Sequence, residues 1–146
     1  MNPSEILSRL PYSFPFLFVD EILEIDENGV EGTFNFKPDS YYYQGHFKEE
    51  PVTPGVILTE CMAQIGVVSL GIFLMEKNQA SDRKFQIAMS STEVDFFHPV
   101  LPGETVKVIS KKEYFRFNKL KCNTEMYNAE GKLVCRGKIA GMVFIR

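Results

Sequence analysis

Residues 44–76 read QGHFKEEPVTPGVILTECMAQIGVVSLGIFLME, and the second half of this stretch decides the fold. Thr53 is suited to cap the amino end of a helix, and Pro54 fits the first helical position, where a missing N–H costs nothing. Between Cys61 and Met75 there is no charged residue, and apolar side chains fall on every face of the predicted helix. These 15 residues are fewer than the about 20 that cross a bilayer, so the helix is predicted to lie in a protein core. A helix over residues 54–76 would be about 34 Å long.

Three features of this stretch suit acid–base chemistry on a carbonyl compound. Glu60 lies well inside the predicted helix among apolar neighbours, and burying a carboxyl without a partner costs several kcal/mol. His46 lies just before the helix, in a loop that contains Gly45 and Pro51. Gly55 would take the second helical position, where a backbone N–H lacks an intrahelical acceptor and the helix dipole favours negative charge.

The rest of the chain is predicted to wrap the helix with strands. A short amino-terminal helix is expected at residues 2–10, with Ser4 or Asn2 as its cap. Apolar patterns predict six strands, at residues 16–25, 30–37, 85–97, 106–117, 120–127 and 132–145. The loop at residues 38–50 carries His46, and the polar residues 77–84 close the long helix. This order predicts one domain over residues 1–146, an α+β fold in which a curved antiparallel sheet surrounds one long central helix.

The composition is that of a soluble globular protein. The net charge of −3 argues against binding to nucleic acid. The 3 cysteines, Cys61, Cys122 and Cys135, are an odd number without metal-type spacing, so reduced thiols are expected rather than disulfides. The amino terminus has no apolar segment of the signal-peptide kind. We therefore expect a cytoplasmic protein that does not insert into a membrane.

The charge is unevenly placed along the chain. Residues 1–106 carry 6 Lys or Arg against 16 Asp or Glu, whereas residues 107–146 carry 10 against 3. The basic segment is either a solvated outer face of the sheet or a docking surface for an acidic partner, and both interpretations stay open. The candidate docking positions are Lys111, Lys112, Arg116, Lys119, Lys121, Arg136 and Lys138.

Motifs along nearly the whole chain point to one family. They are Leu10-Pro11, Phe14-Pro15-Phe16-Leu17-Phe18-Val19-Asp20, Gln44-Gly45-His46-Phe47, Pro51-Val52-Thr53-Pro54-Gly55-Val56, Glu60-Cys61-Met62-Ala63-Gln64, Phe97-His98-Pro99-Val100 and Pro102-Gly103-Glu104. In these motifs the chain resembles the 3-hydroxyacyl-[acyl-carrier-protein] dehydratases of type II fatty-acid synthesis. That family has the hot-dog fold, which agrees with the predicted order of elements.

The resemblance implies roles for three residues. His46 matches the family's catalytic histidine, Glu60 its catalytic carboxylate, and Gly55 the glycine whose N–H points at the thioester carbonyl. The implied reaction turns (3R)-hydroxyacyl-[acyl-carrier-protein] into the trans-2-enoyl thioester. His46 would take the C2 proton, Glu60 would hold or protonate the hydroxyl, and the Gly55 N–H would stabilise charge on the carbonyl oxygen. These steps imply no metal or redox cofactor. The resemblance also implies that the substrate is carried on the phosphopantetheine of an acidic acyl carrier protein.

Two departures from the family pattern bear on the substrate. The family usually has His-Arg after Leu10-Pro11, where this chain has Tyr12-Ser13, and Pro-Gly after its His-Phe pair, where Lys48-Glu49 stand. Neither departure touches the implied catalytic residues, but both affect substrate entry and carrier docking. The chain would then be a paralogue that serves a specialised fatty-acid or polyene-type pathway.

Alternatives remain open for several residues and for the function. His46 could be a structural loop residue, Glu60 a satisfied core carboxyl, and His98 is more simply a strand-end residue. Gln64, one turn after Glu60, either orients that carboxyl or is a core amide bonded to backbone. The alternative functions are a hot-dog thioesterase, a hydratase of coenzyme A thioesters, and a non-catalytic acyl-binding subunit. Because the sheet would leave an edge uncovered, we expect at least a homodimer, and a trimer of dimers is compatible with this.

Overall fold

The structure, a computed structural model, describes residues 1–78 and 85–145. Its centre is a helix of 23 residues, Gly55–Lys77. The helix consists of α2 (Gly55–Ala63), one turn of π-helix (Gln64–Val68) and α3 (Ser69–Lys77). It is long and apolar enough to cross a membrane, but 78% of its most apolar window is buried inside the fold. The prediction of a core helix is therefore confirmed.

The start of this helix differs from the prediction by one residue. Pro54 is the capping residue and α2 begins at Gly55, so Gly55 is the first helical residue and not the second. Thr53 was expected to cap the helix, and this is wrong. Its hydroxyl shares a hydrogen bond of 2.5 Å with the Tyr43 hydroxyl, and its N–H donates to the Val100 carbonyl. The Thr53 hydroxyl is thus bonded to Tyr43 and does not cap the helix.

Six antiparallel strands form one sheet around the helix, in the order β1-β2-β4-β5-β6-β3. The elements outside the central helix are α1 (Pro3–Arg9), β1 (Glu21–Asp26), β2 (Gly29–Asn35), a 3₁₀ turn (Tyr41–Gln44), β3 (Phe85–Phe96), β4 (Thr105–Arg116), β5 (Lys119–Asn128) and β6 (Leu133–Ile145). The α+β hot-dog architecture is thus confirmed. Most of the predicted polar segment at residues 77–84 lies outside the described residues.

The inner face of the sheet packs directly on the helix. Along β5, Leu120, Cys122 and Met126 alternate with outward-facing residues and are fully buried. The approach is close at Gly66, where an added methyl carbon would lie 2.9 Å from the Ser110 Cβ of β4. A side chain larger than hydrogen would therefore push the helix away from the sheet.

The predicted strand at residues 16–25 is shorter in the structure, because β1 begins only at Glu21. Residues 16–20, which we call the strap, cross the core without strand pairing, although Phe18 and Val19 are buried. The Asp20 N–H donates to the Thr33 carbonyl of β2, but at Phe18 side chains of the helix bond to the backbone in place of a strand. The Phe18 N–H donates to Gln64 Oε1 at 2.8 Å, and the Phe18 carbonyl accepts from the Cys61 thiol at 3.4 Å.

Candidate active site

Glu60 projects from the second turn of α2 into a half-buried position. Gln64 lies four residues later on the same helix face, and its Nε2 donates to Glu60 Oε2 at 3.0 Å. Burial raises the pKa of the Glu60 carboxyl, and the hydrogen bond from Gln64 opposes this shift without cancelling it. Glu60 is therefore a carboxyl that holds its proton more tightly than usual and has a fixed orientation.

Gln64 connects this carboxyl to the strap. The Gln64 side chain is fully buried, and its Nε2 donates a second hydrogen bond to the Phe16 carbonyl at 3.0 Å. Its Oε1 accepts from the Phe18 N–H, so the amide makes three hydrogen bonds. Both alternatives drawn from the sequence describe real contacts, because the same amide bonds to backbone and to Glu60. Gln64 also begins the π turn, a feature that is frequent at functional sites.

A small pocket opens beside Glu60, between the central helix and the sheet. Its cavity measures ≈ 40 Å³. Its walls are Tyr12, Ala63, Val67, Val68, Ile87, Met89, Ile139, Ala140 and Gly141. Burial, followed by the nearby Glu60 carboxylate, raises the pKa of Tyr12 to about 12, so its hydroxyl keeps its proton. Tyr12 is a pocket residue that the sequence marked only as a departure from the family pattern.

His46 lies in the loop before α2, and two reciprocal contacts with Val52 hold it. Its Nδ1 lies 2.9 Å from the Val52 carbonyl oxygen, and its own carbonyl accepts from the Val52 N–H at 2.9 Å. The ring stacks on Phe47 with the two centroids 4.2 Å apart. Because a carbonyl oxygen can only accept, Nδ1 is assigned the hydrogen in the neutral ring, which leaves Nε2 with the lone pair of a base.

Gly55 places its backbone N–H at the positive end of the central helix. As the first residue of α2, it has no acceptor for this N–H within the helix. A methyl carbon added at Gly55 would lie 3.2 Å from the Phe96 ring, so β3 covers one side of this helix end. The position is suited to bind a partial negative charge.

Within one chain, the structure brings Glu60 and Gln64 together but does not join His46 to them. No hydrogen bond or ion pair between His46 and Glu60 is present among the described residues. His46 is also absent from the walls of the Glu60 pocket. His98 follows β3, and its N–H donates to the Val134 carbonyl, which agrees with a strand-end role. Across residues 1–78 and 85–145, no three His, Cys, Asp or Glu side chains cluster as metal ligands would.

Sequence comparisons place this geometry in a known context. The FabA-like domain family matches residues 10–141. A protein of Rhizobium etli named "3-hydroxyacyl-[acyl-carrier-protein] dehydratase FabZ" is 34% identical over 142 residues, which cover 95% of this chain and 86% of the relative. A protein of the same name from Clostridium perfringens is 34% identical over 95% of this chain and 96% of the relative. Another from Rickettsia canadensis is 30% identical over 98% of this chain and 97% of the relative.

Structural comparison finds the same fold at low identity. The dehydratase heterocomplex ApeI:P from Xenorhabdus doucetiae superposes with a TM-score of 0.78 at 13% identity, covering 97% of this chain and 91% of that one. A mutant of the thioesterase PA1618 from Pseudomonas aeruginosa superposes with a TM-score of 0.70 at 8% identity, over 100% and 96% of the two chains. Because dehydratases and thioesterases share the fold, the likeness supports the hot-dog architecture and does not by itself distinguish the two activities.

Proposed function

This chain belongs to the family of FabA-like domains, and from that premise we propose its reaction. It removes water from (3R)-hydroxyacyl-[acyl-carrier-protein] and releases the trans-2-enoyl thioester, as a hydro-lyase. Support comes from relatives that match almost the full chain and carry this activity in their names. The observation that carries the proposal is Glu60, a half-buried carboxyl with a raised pKa that is held in place beside a pocket.

In the proposed mechanism, two side chains move the protons. His46 Nε2 takes the proton from C2, and the electron pair of that C–H bond forms the C2–C3 double bond as the C3–O bond breaks. The protonated Glu60 gives its proton to the departing hydroxyl, which leaves as water. Proton exchange with solvent then returns both groups to their starting states. A carboxyl with a raised pKa suits the acid role, because more of it stays protonated near neutral pH.

Charge on the thioester oxygen is assigned to the Gly55 N–H. When C2 loses its proton, negative charge develops on the carbonyl oxygen, and a donor at a helix amino terminus stabilises that charge. The loop that carries His46 leads directly into this helix end. The steps are two proton transfers and the cleavage of the C3–O bond, with no net oxidation or reduction, so the proposal routes none of them through a metal or redox cofactor.

We propose that the site is completed by a second copy of the chain, with His46 of one protomer facing the partner's Glu60. This arrangement would explain why His46 does not line the Glu60 pocket of its own chain. It is supported by β3, an edge strand of 12 residues that has one strand neighbour in the described sheet. Exposed apolar side chains at Met89, Phe96 and Phe97 lie on or beside this edge.

The proposed partner is an acyl carrier protein, docked near the β4–β5 hairpin. Of the candidate basic positions, Lys121 and Lys138 are ion-paired with Glu113. Arg116 and Lys119 face each other at the hairpin end, beside the exposed side chain of Phe117. The hairpin is close to the pocket, because Lys119 pairs with Met142 one residue from Gly141 in the pocket wall. An acidic carrier docked there could deliver its prosthetic arm to Glu60.

The setting of the reaction is part of the same proposal. The three cysteines are free and buried, and the apolar helix is enclosed by the fold, both of which suit a soluble protein in the cytoplasm. Tyr12 replaces the usual histidine within the pocket. This supports a role in a specialised fatty-acid or polyene-type pathway.

One assay tests the proposed function. Purified protein is incubated with (3R)-hydroxyacyl and trans-2-enoyl thioesters of acyl carrier protein and of coenzyme A, and enoyl absorbance and released thiol are followed in parallel. We expect the 3-hydroxyacyl and enoyl thioesters to interconvert without thiol release, and faster on the carrier protein. Thiol release without enoyl formation would identify a thioesterase. Comparable or faster turnover on coenzyme A would favour the hydratase alternative.

A further inference from the structure

The pocket beside Glu60 is small for an enzyme of acyl chains. Its cavity of ≈ 40 Å³ is well below the about 300–1,000 Å³ of ordinary small-molecule sites. Each water-sized group occupies about 10–15 Å³ of such a cavity. The pocket therefore accommodates about three groups of that size beyond the Glu60 carboxyl.

Ile87 of β3 forms a wall of the pocket and packs closely against two glycines. A methyl group at Gly71 of α3 would collide with Ile87 Cδ1, and one at Gly141 of β6 would lie 2.8 Å from Ile87 Cγ2. Ile87 is partly buried and fills the space between the helix and the neighbouring strand that these two glycines leave. It cannot move towards either glycine to lengthen the pocket unless the helix or the sheet moves.

The central helix and β6 also lie close together along the side of the pocket. A methyl carbon at Gly141 would lie 3.2 Å from Val67 Cγ1, so the central helix and β6 leave no passage on that side. At the mouth, Met89 is 44% exposed and has a flexible side chain, so this end can adapt to a substrate. Met89 lies on the β3 edge at which we propose that the second copy pairs, so a partner subunit would add atoms at this open side.

We infer that the substrates of this site are short-chain 3-hydroxyacyl thioesters, with about four to six carbons in the acyl group. This inference rests on the proposed function, because it places C1 to C3 at His46 and Glu60 and the remaining carbons in the pocket. A longer chain would leave its outer methylenes in water or displace Ile87. Each methylene that a site buries improves binding about fourfold, and this gain ends where the pocket ends.

The test measures kcat/KM for four-, six-, eight- and twelve-carbon (3R)-hydroxyacyl thioesters of pantetheine, which leaves carrier docking out of the comparison. We expect the highest value at four or six carbons and a value at twelve carbons that is no higher, and lower if Ile87 must move. A kcat/KM that rises through twelve carbons would overturn the inference and leave the dehydratase function standing. No enoyl formation at any length would overturn both.

Variants at Ile87 test whether this side chain limits the length of the acyl group. Ile87→Ala should raise the ratio of kcat/KM for the eight-carbon over the four-carbon substrate at least tenfold. Ile87→Val removes only the Cδ1 carbon that meets Gly71, so it should raise this ratio by less and carry less risk to folding. The matched control is Ile109→Ala, at a position between Glu31 and Glu125 on the opposite face of the sheet. It should leave the ratio unchanged. An unchanged ratio in folded Ile87→Val and Ile87→Ala, judged by their thermal unfolding and four-carbon turnover, would overturn the inference.

Discussion

At the scale of single residues, Glu60 and His46 can be changed with little loss of core packing, since both are only half-buried. We predict that Glu60→Gln and His46→Ala each lower dehydration by about 10²–10⁴-fold, the usual contribution of a general acid or base. Enoyl absorbance measures turnover, and circular dichroism checks the fold. Glu76→Gln, on the same helix but paired with Arg9 outside the pocket, and His98→Ala are the controls. A folded Glu60→Gln or His46→Ala protein with turnover near wild type would remove that residue from the mechanism.

The raised pKa of Glu60 also predicts how stability depends on pH. Below the pKa of the unfolded carboxyl, Glu60 carries its proton in both the folded and the unfolded state, so it adds no pH dependence to the free energy of unfolding. As pH rises from there through the folded pKa, the unfolded state loses its proton first, so wild-type stability falls relative to Glu60→Gln. Above the folded pKa, the difference in free energy of unfolding between the wild type and Glu60→Gln is constant. Urea unfolding of both proteins, measured from below the unfolded pKa to above the folded pKa, gives this difference. If the wild type instead gained stability over Glu60→Gln as pH rises, the folded pKa would be lowered.

Much of the candidate site could be anticipated from residue types and spacing, but its contacts could not. The apolar run around Glu60 predicted a functional carboxyl, because an unpaired buried carboxyl is costly. The four-residue spacing predicted that Gln64 either contacts Glu60 or bonds to backbone. Nothing local indicated that the same amide would bind the strap, because Phe16 and Phe18 lie more than forty residues earlier in the chain. Long-range hydrogen bonds of this kind depend on the assembled fold.

At the scale of elements, the π turn depends on hydroxyl groups that donate to its carbonyls. Ser110 of β4 is buried, and its hydroxyl donates to the Gly66 carbonyl at 2.9 Å. We predict that Ser110→Ala destabilises the fold by about 1–3 kcal/mol, because it leaves a buried carbonyl without this donor. Ser8→Ala removes a similar bond of 2.8 Å to the Glu5 carbonyl on the exposed face of α1 and should cost less than about 0.5 kcal/mol. Urea unfolding compares them, and equal small losses would mean that water replaces the Ser110 hydroxyl.

The accuracy of the sequence-based predictions differs between elements for physical reasons. β2 and β5 were predicted within one or two residues, because one of their faces is buried and the other is not. The strap was predicted as a strand because its apolar run is typical of one, yet its backbone pairs with helix side chains. The π turn gave no signal, since an apolar helix buried on all sides shows no periodicity from which a change of phase could be recognised.

For the whole molecule, the composite site predicts complementation between two inactive proteins. His46→Ala and Glu60→Gln homodimers, mixed and allowed to exchange subunits, should recover up to about one quarter of wild-type activity per site. A mixed dimer has one site with both residues intact, and half of the dimers are mixed at equal concentrations. Subunit exchange is followed by native mass spectrometry. If mixed dimers form and stay inactive, the two residues do not act across an interface.

Carrier docking is a property of the surface as a whole and has its own prediction. Reversal of both Arg116 and Lys119 to Glu should raise KM for the carrier-bound substrate about tenfold or more and weaken its salt dependence, while a pantetheine thioester is turned over as before. Lys132→Glu is the matched control, because it lies at the opposite end of β5, about 30 Å from the β4–β5 hairpin. Equal losses on both substrates would indicate damage to the pocket, and no loss would identify the basic segment as a solvated face.

The π turn gives substitution and deletion different consequences in the central helix. Each residue advances a helix by about 100°, so the wider turn sets the orientation of α3 relative to α2. Before the turn Glu60 faces the pocket, and after it Gly71 meets Ile87. A substitution within Gln64–Val68 changes the contacts of one side chain, whereas the loss of one residue there would rotate all of α3 and separate Gly71 from Ile87. The fold therefore depends more strictly on the number of residues between Glu60 and Gly71 than on the identity of most of them.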